Sequence, residues 1–303
     1  QQGIILAINS KNNFEDAMKV INEHPNMILK EEHFASIQIN WNDKALNLKQ
    51  ISNEINIGTD SMVFFDDDKL NQERIKQEFP LVLTVELTKD PSDYVKILEE
   101  LKEFDVLSRT EEDNKRGKMY TQQRKRKEFE ETVSDLNQFL DQLNIKVKIE
   151  DSNEFLIPRI SQLTLKTNQF NLTTKRYQEE DIQKFTLDDN FKIGCANVQD
   201  KFGDNGITGV FIIKKNDKVW NLDTFLLSCR VMGRGVENLI LSHLLQDAKK
   251  NGIKEFIAEF IPTEKNKPSS NFLKENGFIK RENYWVFDLE KNIEQPKHLE
   301  LVK

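Results

Sequence analysis

Three places in the chain gather the residue types that chemistry needs. The first is spread over the opening third. Ser10 follows a short apolar run, Lys44 sits in NWNDKALNL, and Asp66-Asp67-Asp68 closes SMVFF. Adjacent carboxylates repel one another unless a cation is present. Hard oxygen ligands suit Mg²⁺, which takes one or two carboxylates plus waters and phosphate oxygens. A hydroxyl and an ammonium nearby would hold phosphoryl oxygens and neutralise charge in the transition state. These residues predict phosphoryl chemistry, with Asp66 and Asp67 as metal ligands and Ser10 and Lys44 as catalytic groups. The same aspartates would equally suit a solvated turn that caps the next helix.

The second place is Leu227 to Glu237, reading LSCRVMGRGVE, between an apolar run and an amphipathic one. A strand, a turn rich in glycine and arginine, then a helix would set backbone N–H groups and a positive helix end around one point. That is a cradle for a diphosphate or another anion. Gly233 and Gly235 would let the backbone approach it, and Arg230 and Arg234 could pair with it. The expected ligand is the phosphate-bearing arm of an acyl thioester, either coenzyme A or a carrier protein's phosphopantetheine arm. Cys229 beside it would feel Arg230 and the helix end, both of which lower a thiol pKa. It could then take an acyl group, or simply be a buried strand cysteine. The third place is Lys166 to Tyr177, dense in amides and hydroxyls and without a period. Thr167, Asn168, Gln169 and Asn171 either line a polar ligand site or form a loop that caps its neighbours. Glu259, at a strand end, is a base or a solvated group, while His243 and Cys195 read as structural.

The elements that must position these groups alternate. Ile4 to Ile8 reads as a central parallel strand, Phe14 to Asn22 as a helix, Trp41 to Asn56 as a helix stopped by Gly58, and Ser61 to Phe65 and Leu81 to Val85 as strands. This predicts an open Rossmann-like α/β sheet, whose ligands sit at the carboxyl ends of the strands. Pro91 to Leu143 is helical in pattern. Ile145 to Ile149 then opens a second, mixed α+β domain. A helix over Ile157 to Leu165 and a meander over Phe191 to Val198, Thr208 to Lys214 and Val219 to Leu227 follow, with a turn at Gly203 to Gly206. A helix from Val236 ends at Gly252. A strand over Ile253 to Ile261, a helix over Ser269 to Asn276 and a strand over Tyr284 to Leu289 complete it. The expected division is 1–108, a helical connector 109–143, a second domain 144–290 and a ragged tail 291–303.

The 303 residues fit about two domains. A net charge of −7 argues against non-specific nucleic-acid binding, and the basic run Arg124 to Lys127 reads as a solvated helix face. No apolar run reaches the ~20 residues that span a bilayer. Two distant cysteines fit a reducing cytoplasm rather than a disulfide scaffold, and no His/Cys cluster has zinc spacing.

Ser10, Lys44 and FFDDD resemble, in order, the second, third and fourth motifs of haloacid-dehalogenase-like (HAD) phosphatases. The run KTNQFN-TT-RY within Lys166 to Tyr177 is similar to one in the FkbH-like group of that superfamily. Arg230-x-x-Gly233-x-Gly235 resembles the pyrophosphate loop of GNAT N-acetyltransferases. Asn271-Phe272-Leu273…Gly277-Phe278 resembles the later helix of that fold, which flanks the pantetheine. The resemblance, covering roughly Gly3 to Leu289, implies an FkbH-like protein. Such a protein would use a phosphorylated three-carbon acid, bisphosphoglycerate, release phosphate, and pass a glyceryl unit to an acyl carrier protein. The family's first motif, Asp-x-Asp, would precede this chain, and its first strand is expected upstream. Asn9 stands where members often carry a cysteine. Two other readings stay open: a coenzyme A-dependent N- or O-acyltransferase, and a non-catalytic binding protein.

Overall fold

The computed structural model describes residues 3–55, 57–105, 111–291 and 293–302, the side chains of 111–116 apart. The chain divides into two compact units, 1–132 and 133–303. The expected boundary at 108–109 lies outside the described residues. The expected connector is split between the units, its long helix in the first and its short helix in the second.

The first unit runs β1 (Leu6–Ser10), α1 (Phe14–Glu23), β2 (Phe34–Ile39), α2 (Lys44–Ile55), β3 (Val63–Asp66), α3 (Lys69–Glu78), β4 (Leu83–Glu86), α4 (Tyr94–Glu99) and α5 (Glu111–Thr132). It is α/β, and every described strand pairing in it is parallel, β1 with β2 and β3 with β4. Among the described residues these are two separate pairs, not one continuous sheet. Apolar residues at helical spacing explain the helices. On α2, Ala45, Leu48, Ile51 and Ile55 are buried, and Leu48 packs with Phe64, Ile75 and Val82. On α1, Met18 and Ile21 pack against Phe34 and Ile39 of β2. Each such side chain contributes roughly 1.5–3 kcal/mol by leaving water. Strand β2 was not expected from the sequence.

The second unit runs α6 (Leu136–Leu143), β5 (Ile145–Asp151), α7 (Ile157–Lys166), β6 (Phe170–Asn171), α8 (Glu179–Leu187), β7 (Phe191–Asp200), β8 (Gly203–Lys215), β9 (Val219–Leu227), α9 (Val236–Lys250), β10 (Glu255–Ala258), α10 (Phe272–Glu275), β11 (Ile279–Arg281), β12 (Tyr284–Asp288) and β13 (Leu299–Val302). It is mixed α+β. One sheet carries the order β11-β12-β10-β9-β8-β7-β5-β13, with β6 added against β9. The pairs β9–β10 and β5–β13 are parallel and the rest antiparallel.

Three expectations change here. The turn expected at Gly203 to Gly206 lies inside β8. The chain reverses one step earlier, where the Asp200 carboxylate accepts the N–H groups of Phe202 (2.9 Å) and Gly203 (3.3 Å). The strand expected over Ile253 to Ile261 stops at Ala258. The expected tail is no tail, because Leu299–Val302 adds a parallel strand beside β5.

Candidate functional site

The parallel strands of the first unit end in a polar cluster. Asn9, next to last in β1, donates to the carbonyl of Lys44 (2.8 Å), which ties the strand end to the start of α2. Asn47 donates to Asn9 (3.3 Å) and Asn40 (3.0 Å). The Lys44 ammonium donates to Asp66 Oδ2 at the end of β3, in an ion pair whose side chains are 14% and 2% exposed. Asp66 Oδ1 accepts the N–H of Asp68 (2.9 Å), and Gln72 donates to the Asp66 carbonyl (2.5 Å). The structure thus joins Lys44 and Asp66 directly. Ser10 lies one residue beyond Asn9, its carbonyl accepting Asn40 N–H (3.0 Å).

The two aspartates expected to hold a metal differ in placement, Asp66 buried and Asp67 exposed. Asp68 is the N-cap of α3, accepting Leu70 N–H (2.8 Å), and Asp67 is exposed. One Asp66 oxygen accepts from the Lys44 ammonium and the other from the Asp68 N–H. Among the described residues no group of three or more His, Cys, Asp or Glu could hold a metal ion. One or two carboxylates are all that Mg²⁺ takes from a protein beside waters and phosphate oxygens, and buried Asp66 is the carboxylate the cluster presents. What the cluster presents is a lysine held by a buried carboxylate, with two of its three donors to spare.

In the second unit the Gly/Arg loop has the backbone its sequence implied. Gly233 and Gly235 adopt φ of 74° and 78°, in the left-handed region that favours glycine, and α9 starts after Gly235. Its expected role as an open anion cradle is corrected. Arg234 is buried and pairs with Asp200 (3.5 Å), so it faces the sheet. Arg230 is half-buried, with Nε on Ser228 Oγ (3.3 Å). The Glu237 carboxyl lies at the helix start, where the N–H groups of Gly233 and Glu237 favour its charged form. Burial nonetheless raises the pKa of Glu237. His298 closes the loop from outside, Nε2 lying 2.8 Å from the Arg234 carbonyl.

A Cβ on Gly235 would come within 3.3 Å of the His298 ring, whereas one on Gly233 would meet open space. Both substitutions strain the backbone by about 1–2 kcal/mol, but only Gly235→Ala must also displace His298. The urea midpoint of Gly235→Ala should therefore fall further than that of Gly233→Ala. Equal midpoints would contradict the His298 contact.

Beyond Leu222 and Ala258, β9 and β10 no longer pair. That leaves a gap between the two strands. The chain fills it itself. Phe170 and Asn171 pair with Leu227 and Leu226, Leu172 N–H donates to the Phe225 carbonyl (3.0 Å), and Ile261 N–H donates to the Leu172 carbonyl (2.8 Å). The segment Phe170 to Leu172 thus lies between β9 and the chain that follows β10. The residues expected to bind substrate are mostly spent on holding this segment. Buried Asn171 bridges Thr167 O (3.2 Å) and Thr174 N–H (2.9 Å), and Arg176 binds the Thr167 carbonyl and the Asn168 amide oxygen. Gln169 is exposed. Asn271 is exposed at the start of α10 and makes no capping bond.

Sequence reasoning missed Asp223. A bulge in β9 leaves Asp223 without a partner in β8, immediately after the last residue paired with β10. Its side chain is 2% exposed and takes Lys175 and Lys214 on Oδ1 (2.9 Å each). Tyr177 (2.7 Å) and Thr224 (3.1 Å) bind Oδ2. Thr173 donates to the Asp223 carbonyl (2.9 Å), and Glu259 lies 3.8 Å from Lys175. Burial alone would raise the Asp223 pKa, but the bonds from Tyr177, Lys175 and Lys214 outweigh it and hold the carboxyl below its usual range. Burial and Asp223 push the Tyr177 phenol well above its own. Thr173, Lys175 and Tyr177 recur at every second residue, a signal legible in principle.

Cys229 is exposed at the loop, which settles it as no buried strand residue, while Cys195 is buried and its thiol is pushed up to about 12 by that burial. Iodoacetamide should label Cys229 alone in the native protein and both cysteines after unfolding, as read by peptide mass spectrometry. Native labelling of Cys195 would contradict its placement. His243 is held below its ordinary value by burial, as fits a structural residue of α9.

No protein-family model and no curated protein matches the chain. Among solved structures it is similar to the N-terminal part of the protein BF1531 from Bacteroides fragilis, containing a phosphatase domain complexed with Mg. The identity is 39% over 36% of this chain and 29% of that one, with a TM-score of 0.35. The chain thus spans less than a third of that structure's length. It is also similar to a GNAT-family acetyltransferase from Staphylococcus aureus (14% identity, 47% of this chain and 99% of that one, TM-score 0.37). A third is N-acetylglutamate synthase from Neisseria gonorrhoeae complexed with coenzyme A and N-acetyl-glutamate (15%, 48% and 35%, TM-score 0.36). At such TM-scores these likenesses assign no activity to this chain. Among the described residues no helix is long and apolar enough to cross a membrane.

Proposed function

We propose that the chain is an enzyme of the HAD-plus-GNAT type that handles a phosphorylated small acid and moves its acyl group. The observation that carries this reading is the Lys44–Asp66 pair at the strand ends of the first unit. A buried carboxylate fixes the ammonium, and the spare donors suit phosphoryl oxygens. The starts of α2 and α3 follow β2 and β3 directly and add the positive ends of two helix dipoles. The ordered resemblance to the FkbH-like group suggests bisphosphoglycerate as the acid and an acyl carrier protein as the acceptor.

The reading is tested by calorimetric titration of the chain with 3-phosphoglycerate. Binding should weaken at least tenfold in Lys44→Met under conditions where hydrogen exchange shows its first unit still folded, since a charge-assisted contact is worth about 1.5–3 kcal/mol. Unchanged affinity in that variant would remove the basis of the proposal. The acyl half is tested by mass spectrometry after incubation with bisphosphoglycerate. A glyceryl adduct lost in Cys229→Ala would assign the exposed thiol as the acceptor. There the thiolate attacks the acyl carbon and the acyl phosphate leaves with the bonding pair, giving a phosphoglyceryl thioester, and hydrolysis of its remaining phosphate ester by water gives the glyceryl adduct. An adduct that persists in that variant would discard the cysteine step.

A further inference from the structure

The Asp223 cluster holds more charge than a structural ion pair requires. One ammonium would satisfy a buried carboxylate. Here two arrive from different elements, Lys175 from the segment after β6 and Lys214 from β8, and both settle on the same oxygen. The phenol and hydroxyl on Oδ2 already satisfy the other side of the group. The strand is bulged at this residue, which is how a sheet re-aims a side chain. Lys175 and Lys214 are 33% and 50% exposed, so each keeps donors toward water while its position is fixed from behind. Lys214 also lies 6.0 Å from the centre of the Phe191 ring. The half-exposed Glu259, 3.8 Å from Lys175, balances the formal charge of the cluster but leaves Lys214 without a second carboxylate.

We infer that Lys175 and Lys214, held side by side by Asp223, form a binding site for an oxyanion, the phosphate or carboxylate head of a small ligand. Two ammonium groups on one carboxylate oxygen stand close enough for a single such head to span them. Asp223 acts as the fixed base of the clamp, Tyr177 and Thr224 prevent the carboxylate from rotating, and Thr173 fixes the strand behind it. The site lies wholly in the second unit and does not depend on the phosphoryl reading of the first.

The experiment keeps the two apart by using the full chain carrying Lys44→Met. Inorganic phosphate and acetate are titrated separately at constant ionic strength, and binding is read by calorimetry and by shifts of the lysine ammonium resonances. Binding is expected, and it should weaken about tenfold in Lys175→Gln and again in Lys214→Gln, with Lys175→Arg retaining most of it. Circular dichroism checks that each variant is folded. Response to phosphate alone assigns a phosphorylated ligand, and response to both assigns an acid head in general. No binding of either anion overturns the site, and so does binding that survives both glutamine substitutions.

Discussion

Replacing Lys44 with Met should destabilise the first unit by about 3–5 kcal/mol, the range seen when one partner of a buried ion pair is removed. Asp66 is 2% exposed at the side chain and has two supports, the Lys44 ammonium and the Asp68 N–H. With Met at position 44, a charged carboxylate stays in the interior with one hydrogen bond. Asp66→Asn is the informative contrast. Its amide oxygen can still accept from Asp68 N–H, and Lys44, 14% exposed, can turn its ammonium toward water. That variant should lose about 1–2 kcal/mol. Hydrogen exchange of peptides covering Lys44–Ile55 and Val63–Asp66 reads the first unit by itself. Protection there should fall by roughly two to three orders of magnitude in Lys44→Met, with the second unit unchanged. If Lys44→Met and Asp66→Asn cost the same, the pair is not the asymmetric buried contact described above.

The sequence announced this pair through residue types and order, and left its arrangement open. Parallel pairing, the helix starts after β2 and β3, and the left-handed glycines at 233 and 235 follow from local rules of period and turn chemistry. Strand β2 did not announce itself because FASIQI alternates only in part. Ser36 and Gln38 point inward, where they donate to the Glu54 carboxylate (2.5 and 2.9 Å), and only tertiary structure supplies that partner. The last strand was illegible for a similar reason, since Leu299–Val302 gains its edge from β5, over 140 residues earlier. Arg234 reads as an anion ligand beside two glycines, yet it is turned inward by Asp200, 34 residues away. The run Phe170 to Thr174 shows its amide and hydroxyls in the sequence, but not that they serve to insert the chain beside β9.

Replacing Asp223 with Ala should cost the second unit about 3–5 kcal/mol, because it leaves two ammonium groups, a phenol and a hydroxyl converging on an empty point. The pH dependence carries the sharper signature. The Asp223 carboxyl is held below its ordinary 3.8, so folding favours its ionised form. Its contribution is therefore complete above that value and is lost as pH falls through the lower, folded one. The Tyr177 phenol is held above its ordinary 10.0, so folding favours its protonated form. That share persists up to about pH 10 and is lost as the pH rises further. Asp223→Asn retains the shape of the group and cannot titrate. Its unfolding free energy should lack the acid-side fall expected of the native second unit below about pH 3.8, while the alkaline fall should shrink because Tyr177 no longer faces a charge. Retention of the full acid slope in Asp223→Asn would mean that another carboxylate governs it, and the bulged aspartate would then be an ordinary buried ion pair.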